Sequence, residues 1–137
     1  MLYEAKVSYK TRNDEGQEVL KKEQYVVEEC EYFAQVEEKM YKAFDYDNFK
    51  ETDVTDIKRS RIKEIANGRS SADERLFMAE VQDTFTTDEG TEKELKYKIL
   101  FYATNIESAM DFICEYIKQG YNMKLVSLKK TNFVAVL

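Results

Sequence analysis

The sequence predicts an α+β fold: a tandem ββαβ repeat with two helices on one face of antiparallel sheet and pseudo-twofold symmetry. The first observation behind this prediction is an internal repeat, because residues 2–30 align with residues 76–104 at an offset of 74. The identical pairs are Leu2/Leu76, Ala5/Ala79, Val7/Val81, Asp14/Asp88, Glu15/Glu89, Gly16/Gly90, Glu18/Glu92 and Lys22/Lys96. A second match, at an offset of 71, aligns residues 57–62 with 128–133. Because one repeat rarely buries its own apolar face, we expect the copies to share a core.

The second observation is an alternating segment followed by a turn, which predicts a β-hairpin at the start of each copy. The alternating apolar residues are Tyr3, Ala5, Val7 and Tyr9 in the first copy, and Phe77, Ala79 and Val81 in the second. Gly16 and Gly90 follow at the turns, where glycine adopts the positive φ that many hairpin loops need. The apolar residues of the return strands are Tyr25, Val26 and Val27, and then Leu95, Tyr97, Ile99 and Phe101.

The third observation is a helical stripe after each hairpin. The stripes are Phe33, Val36, Met40, Ala43 and Phe44 in the first copy, and Ile106, Ala109, Met110, Ile113 and Ile117 in the second. Asn105 is a favourable N-cap and Gly120 a favourable C-terminal stop, whereas Cys30 occupies the expected cap position of the first helix. We therefore expect the first helix to be the more weakly capped of the two.

A third strand closes each copy, over residues 54–65 and 124–136. The apolar positions Val54, Ile57, Ile62 and Ile65 change parity, which one regular strand cannot satisfy on a single face. This pattern predicts a bulge or break near residues 58–61, and again near 129–132. The predicted organisation is one domain over residues 1–137, built of repeats 1–66 and 75–137 with a polar linker at 67–74.

Composition excludes several classes of chemistry. The chain has 137 residues, a net charge of −6, and neither His, Pro nor Trp. Without His there is no imidazole base, no Ser-His or Cys-His nucleophile and no common zinc site. The glycines stand alone, so no phosphate loop is present, and the acidic segment at 45–53 lacks the spacing of a calcium loop. We expect no enzymatic activity, no cofactor and no metal.

Location and redox state follow from similar arguments. No apolar run approaches the roughly 20 residues that cross a bilayer, and the start has no signal-peptide core. We therefore expect a cytoplasmic protein with no membrane partner. Cys30 and Cys114 fall at different places in the two copies, so we expect two reduced thiols.

Three segments carry a family resemblance: the opening strand Tyr3–Tyr9, the segment Tyr25–Glu28, and residues 54–65, where Val54–Arg59 is the most specific stretch. Together they resemble a family of small uncharacterised proteins of Bacteroides-group gut bacteria and their tailed phages, catalogued as domain of unknown function 4494. The resemblance implies a phage or mobile-element product, cytoplasmic in the host cell, and carries no catalytic residues.

The best candidate site is a basic segment that occurs twice. Its cationic residues are Lys58, Arg59, Arg61, Lys129 and Lys130. If the copies are related by a twofold, these residues form a patch for a phosphate, a nucleotide or a nucleic-acid backbone. The alternative interpretation is solvated charge that keeps an edge strand from unwanted pairing.

These observations lead to three functional hypotheses, of which an enzyme that uses carboxylates and tyrosine is the least favoured. The first is a non-enzymatic phage or mobile-element protein that binds a host or phage protein, with a role in host takeover or anti-defence. A homodimer is a further partner hypothesis, and the ten tyrosines suit such surfaces. The second is an anion-binding module for nucleotide or nucleic acid, which the net negative charge disfavours.

Overall fold

A computed structural model describes residues 1–46, 50–120 and 122–137. Within these residues the chain forms two helices and eight strands. In chain order they are β1 (Tyr3–Arg12), β2 (Glu18–Val27), α1 (Phe33–Tyr46), β3 (Lys50–Arg59), β4 (Ile62–Ile65), β5 (Arg75–Thr86), β6 (Glu92–Ala103), α2 (Ile106–Ile117), β7 (Met123–Lys130) and β8 (Phe133–Val136). The predicted α+β class is confirmed.

The chain divides into two compact units, each with one helix and one four-stranded sheet. The first unit comprises residues 1–60 and 132–137, and the second comprises residues 61–131. The strand orders are β3-β1-β2-β8 and β4-β6-β5-β7. Read from β7, the second order is β7-β5-β6-β4, which matches the first strand for strand. This agreement supports the tandem repeat, while the pseudo-twofold relation stays a prediction.

The predicted break in each third strand is confirmed, and it has a consequence that the sequence did not reveal. β3 ends at Arg59 and β4 begins at Ile62; β7 ends at Lys130 and β8 begins at Phe133. Beyond the break the strand joins the other sheet, where β4 pairs in parallel with β6 and β8 pairs in parallel with β2. The change of parity in the apolar pattern therefore marks a change of sheet.

The first unit buries the alternating face of β1 against α1. Tyr3, Ala5, Val7 and Tyr9 are all buried, as predicted, and they belong to one apolar cluster. The other buried members of this cluster are Tyr25, Val27, Cys30, Val36, Met40 and Phe44. Burial of apolar area is the main stabilising contribution here, at about 1.5–3 kcal/mol for each large side chain.

The second unit repeats this arrangement. Its buried cluster contains Phe77, Ala79, Val81, Ile99, Phe101, Ala103, Ala109 and Ile113. Val26, Leu76 and Leu100 are also buried but stand outside both clusters. The core common to both copies, and the single domain over residues 1–137, therefore stay predictions. Residues 67–74, the predicted linker, lie in the second unit, where Asn67 Oδ1 accepts from the Tyr102 N–H at 2.7 Å.

The two helices begin differently. α2 has the predicted N-cap: Asn105 Oδ1 accepts from the Ser108 N–H at 2.8 Å, and Ser108 Oγ accepts from the Asn105 N–H at 3.1 Å. The cap position assigned to Cys30 is wrong, because α1 begins three residues later and Cys30 is buried in the cluster. Near the start of α1, Gln35 Oε1 instead accepts a hydrogen bond from the N–H of Glu31 at 2.7 Å.

The predicted apolar stripes are partly wrong. Ile106 and Met110 are 51% and 42% exposed, and Phe33 is 52% exposed. Phe112 and Tyr116 pack against the second cluster instead. Helical spacing alone therefore overestimates how many of these residues belong to the core.

Candidate functional site

The five predicted cationic residues lie where each third strand changes sheet. Lys58 and Arg59 end β3 in the first unit, whereas Arg61 belongs to the second unit together with Lys129 and Lys130, which end β7. All five side chains are exposed. The structure thus divides them between two units, and their union in one patch stays a prediction.

Local hydrogen bonding explains why the two basic segments match. The Ser60 N–H donates to the Leu2 carbonyl at 2.9 Å, and the Thr131 N–H donates to the Leu76 carbonyl at 3.0 Å. Thr131 Oγ1 donates to the same carbonyl at 2.9 Å. Ser60 and Thr131 therefore anchor the chain by hydrogen bonds directly after β3 and β7. The cationic residues lie next to these two positions in the sequence.

The cations have different surroundings in the two units. Lys58 lies opposite Glu4 in the sheet, with 4.0 Å between Nζ and Oε1. Lys129 lies opposite Met78, so the second unit has an apolar side chain where the first has a carboxylate. Lys58 is exposed and Glu4 half-buried, and ion pairs near the surface contribute about 1 kcal/mol or less. β3 and β7 are both edge strands, which is the position that solvated charge protects from unwanted pairing.

Two tyrosine–carboxylate hydrogen bonds join neighbouring elements. The Tyr9 hydroxyl donates to Glu23 in the first unit, and the Tyr116 hydroxyl donates to Glu64 in the second. The first bond links β1 to β2 and the second links α2 to β4. Both therefore have a structural role.

Tyr97 lies beside the second of these bonds. Burial raises the pKa of its hydroxyl, and the charges of Asp83 and Glu64 act in the same direction. Lys63 Nζ lies 3.9 Å from the centre of the Tyr97 ring. Tyr97 is therefore a neutral phenol near pH 7.

Both helices have exposed apolar side chains near their start, at positions that the helical spacing in the sequence predicted to be in the core. Phe33 and Ile106 are the first residues of α1 and α2, and more than half of each side chain is exposed. Phe33 packs edge-on against Tyr3, with 5.5 Å between ring centres, and Tyr32 beside it is exposed. In α2, Met110 lies one turn after Ile106. Each unit thus has exposed apolar residues near the start of its helix, which we call the helix-start surface: Tyr32 and Phe33 in the first unit, Ile106 and Met110 in the second. Only Phe33 and Ile106 occupy the same position in their helices.

The described residues offer no cluster of three or more His, Cys, Asp or Glu side chains for a metal ion. Of the acidic segment at 45–53, Asp47 lies outside the described residues, and only the backbone of Asp45 is described. Both thiols are free; Cys30 is buried and Cys114 is half-buried.

Comparison with known families agrees with the resemblance in the sequence. The sequence model of a family described as Domain of unknown function (DUF4494) matches residues 1–137, the whole chain. The chain belongs to this family. A search of curated proteins found no match to this DUF4494 member. In the part of the chain that the structure describes, neither helix is long and apolar enough to cross a bilayer.

Proposed function

We propose that this DUF4494 protein is a non-enzymatic protein of a phage or mobile element that acts in the cytoplasm by binding a host or phage protein. The observation that carries the proposal is the helix-start surface, where each helix begins with an exposed apolar residue, Phe33 or Ile106, beside a second exposed apolar residue. Because large apolar side chains are costly to leave in water, a repeated exposed pair is typical of a contact surface.

The residue types support this interpretation. Tyrosine, phenylalanine and methionine are enriched at protein interfaces, since they supply large contact areas. In the first unit the Tyr3 hydroxyl donates to the Glu31 carbonyl at 2.8 Å, and the Tyr3 ring supports Phe33. Phe33 is thus held in place although it is exposed, which reduces the conformational entropy lost on binding. The absence of His in the sequence supports a role without catalysis.

The test is capture of partners from host lysate with immobilised protein, before and after changes to the helix-start surface. The variants are Tyr32→Ser/Phe33→Ser and Ile106→Ser/Met110→Ser. The matched control is Leu20→Ser, because Leu20 is 59% exposed but lies on β2. We expect at least a tenfold loss of the captured protein in one helix-start variant and none in the control. Equal capture by all variants, or capture of no specific protein, would contradict the proposal.

A second copy of the chain is the other partner that the same surface suits. Light scattering over a range of concentrations separates the two: a dimer lost in the helix-start variants identifies the partner as another copy.

The second candidate function is anion binding through Lys58, Arg59, Arg61, Lys129 and Lys130. In the described residues, Arg59, Arg61, Lys129 and Lys130 have no ion-pair partner, which leaves their charge available. Titration with labelled single-stranded oligonucleotide at low salt tests this candidate. Unchanged affinity after Lys58→Ala/Arg59→Ala/Lys129→Ala/Lys130→Ala would remove it.

A further inference from the structure

A shallow cavity of about 430 Å³ lies on the sheet of the first unit. Its lining residues are Lys6, Val7, Ser8, Lys22, Glu23, Gln24 and Thr55. The even-numbered residues of β1 point away from α1, because the odd-numbered ones are buried under it. The cavity therefore lies on the face of the sheet opposite the helix, and we call it the open-face groove.

The groove brings two ammonium groups together. Lys6 lies opposite Gln24, and Ser8 lies opposite Lys22, so the lysines are diagonal neighbours on one face. Such neighbours are about 7–8 Å apart at the backbone, within reach of one shared ligand. Neither lysine has an ion-pair partner among the described residues.

Two carboxylates lie near this pair, but neither forms an ion pair with Lys6 or Lys22 in the described residues. Glu23 points to the other face, where it accepts the hydrogen bond of Tyr9. Asp56 lies opposite Lys6 on β3, but it forms no ion pair with Lys6 in the part of the chain that is described. Thr55 is the extra residue at the bulge between Asp56 and Val54, and its hydroxyl is 3.4 Å from the Lys6 carbonyl. The bulge thus forms one wall of the groove.

The second unit provides a natural comparison, because it has different residues at the same positions. Glu80 stands at the position of Lys6, Gln82 at that of Ser8 and Lys98 at that of Gln24, whereas Lys96 matches Lys22. Glu80 lies directly opposite Lys98, as Asp56 lies directly opposite Lys6 in the first unit. The second unit has a glutamate where the first has Lys6, so the pair of lysines at these two positions occurs only in the first unit.

We propose that the open-face groove binds the phosphate group of a small organic phosphate, such as a nucleoside monophosphate. Lys6 and Lys22 neutralise the dianion, while the Ser8 hydroxyl and the Gln24 amide donate hydrogen bonds to its oxygens. The volume lies in the range of pockets that hold small ligands. This site is independent of the helix-start surface and shares no residue with the five cations at the strand ends.

The experiment is NMR titration of the full chain with inorganic phosphate, with adenosine monophosphate and with adenosine at low salt. Two double variants are compared: Lys6→Gln/Lys22→Gln in the groove, and Lys96→Gln/Lys98→Gln in the second unit, where Lys96 matches Lys22 and Lys98 matches Gln24. Both variants remove two positive charges, three of the four lysines being exposed and Lys98 half-buried, so the second variant controls for net charge.

We expect both phosphates, and not adenosine, to shift the amide signals of Lys6, Ser8, Lys22 and Gln24. The groove variant should bind at least tenfold more weakly, and the control variant as the parent does. Three results would overturn the site: no shift with either phosphate up to 10 mM, an equal loss in both variants, or equal shifts with adenosine. Shifts confined to the strand ends at Lys58 and Lys129 would assign the anion to the other candidate.

Discussion

The two units of this protein share a topology and differ in surface chemistry. β1 and β5 occupy the same place in their sheets, and each buries alternate residues under its helix. On the opposite face Lys6 corresponds to Glu80, and Glu4 corresponds to Met78. The two units thus share the buried pattern under the helix, whereas residues on the opposite face of the sheet differ. The shared residues maintain the fold, and the differing residues are the ones available for binding.

The largest expected effect is in the two buried clusters. Met40→Ala and Ile113→Ala each remove a fully buried side chain at the matching point of a helix. We expect each to lower the free energy of unfolding by about 2–5 kcal/mol, because the cavity adds to the lost burial. Urea denaturation measures both. Met110→Ala is the exposed control and should change stability by less than about 0.5 kcal/mol. A large loss in only one helix would show that the units depend differently on their clusters.

The next effect concerns the hairpin turns. Gly16 and Gly90 have φ angles of 77° and 81°, and neither would bring an added Cβ within 4 Å of another atom. Alanine at either position should therefore cost about 1–2 kcal/mol through backbone strain alone. Gly68→Ala is the control, since Gly68 has equal space without the positive φ. If Gly68→Ala costs as much in thermal unfolding, backbone strain is not the cause.

A smaller loss of stability is expected from changes at the N-terminal ends of the two helices. Asn105→Ala removes the side chain that caps α2 and should cost about 1 kcal/mol. Gln35→Ala should cost less, about 0.5 kcal/mol, because an exposed hydrogen bond contributes little. Chemical denaturation gives the order of the two losses. The reverse order would mean that Gln35 is the stronger cap.

The smallest effect is confined to alkaline pH. The raised pKa of Tyr97 means that the folded protein holds its phenolic proton more tightly than the unfolded chain does. The stabilisation is fully present below the unfolded pKa of about 10 and is lost as pH rises through the higher folded pKa. Phenolate absorbance should lose a late-titrating component in Tyr97→Phe. An unchanged titration curve in that variant would contradict the assignment.

Local patterns in the sequence determined much of this protein. The alternation of Tyr3 to Tyr9, the turn at Gly16 and the cap at Asn105 are decided by neighbours within a few residues, so they could be predicted. The repeat similarly predicted that β7 would resemble β3, because both copies carry the same local signals. The parity change after Ile57 showed that the strand must break.

Only the tertiary structure decided where the chain goes after that break. The partner of β4 is β6, more than thirty residues later in the chain, and strand pairing at such separation leaves no local signal. The same holds for the candidate sites. Phe33 has helical spacing for the core, yet it is 52% exposed, because burial depends on which elements pack around a residue. Lys6 and Lys22 become neighbours only through the register of β1 against β2. The sequence of charges does not indicate which side chains lie on the same face of a sheet.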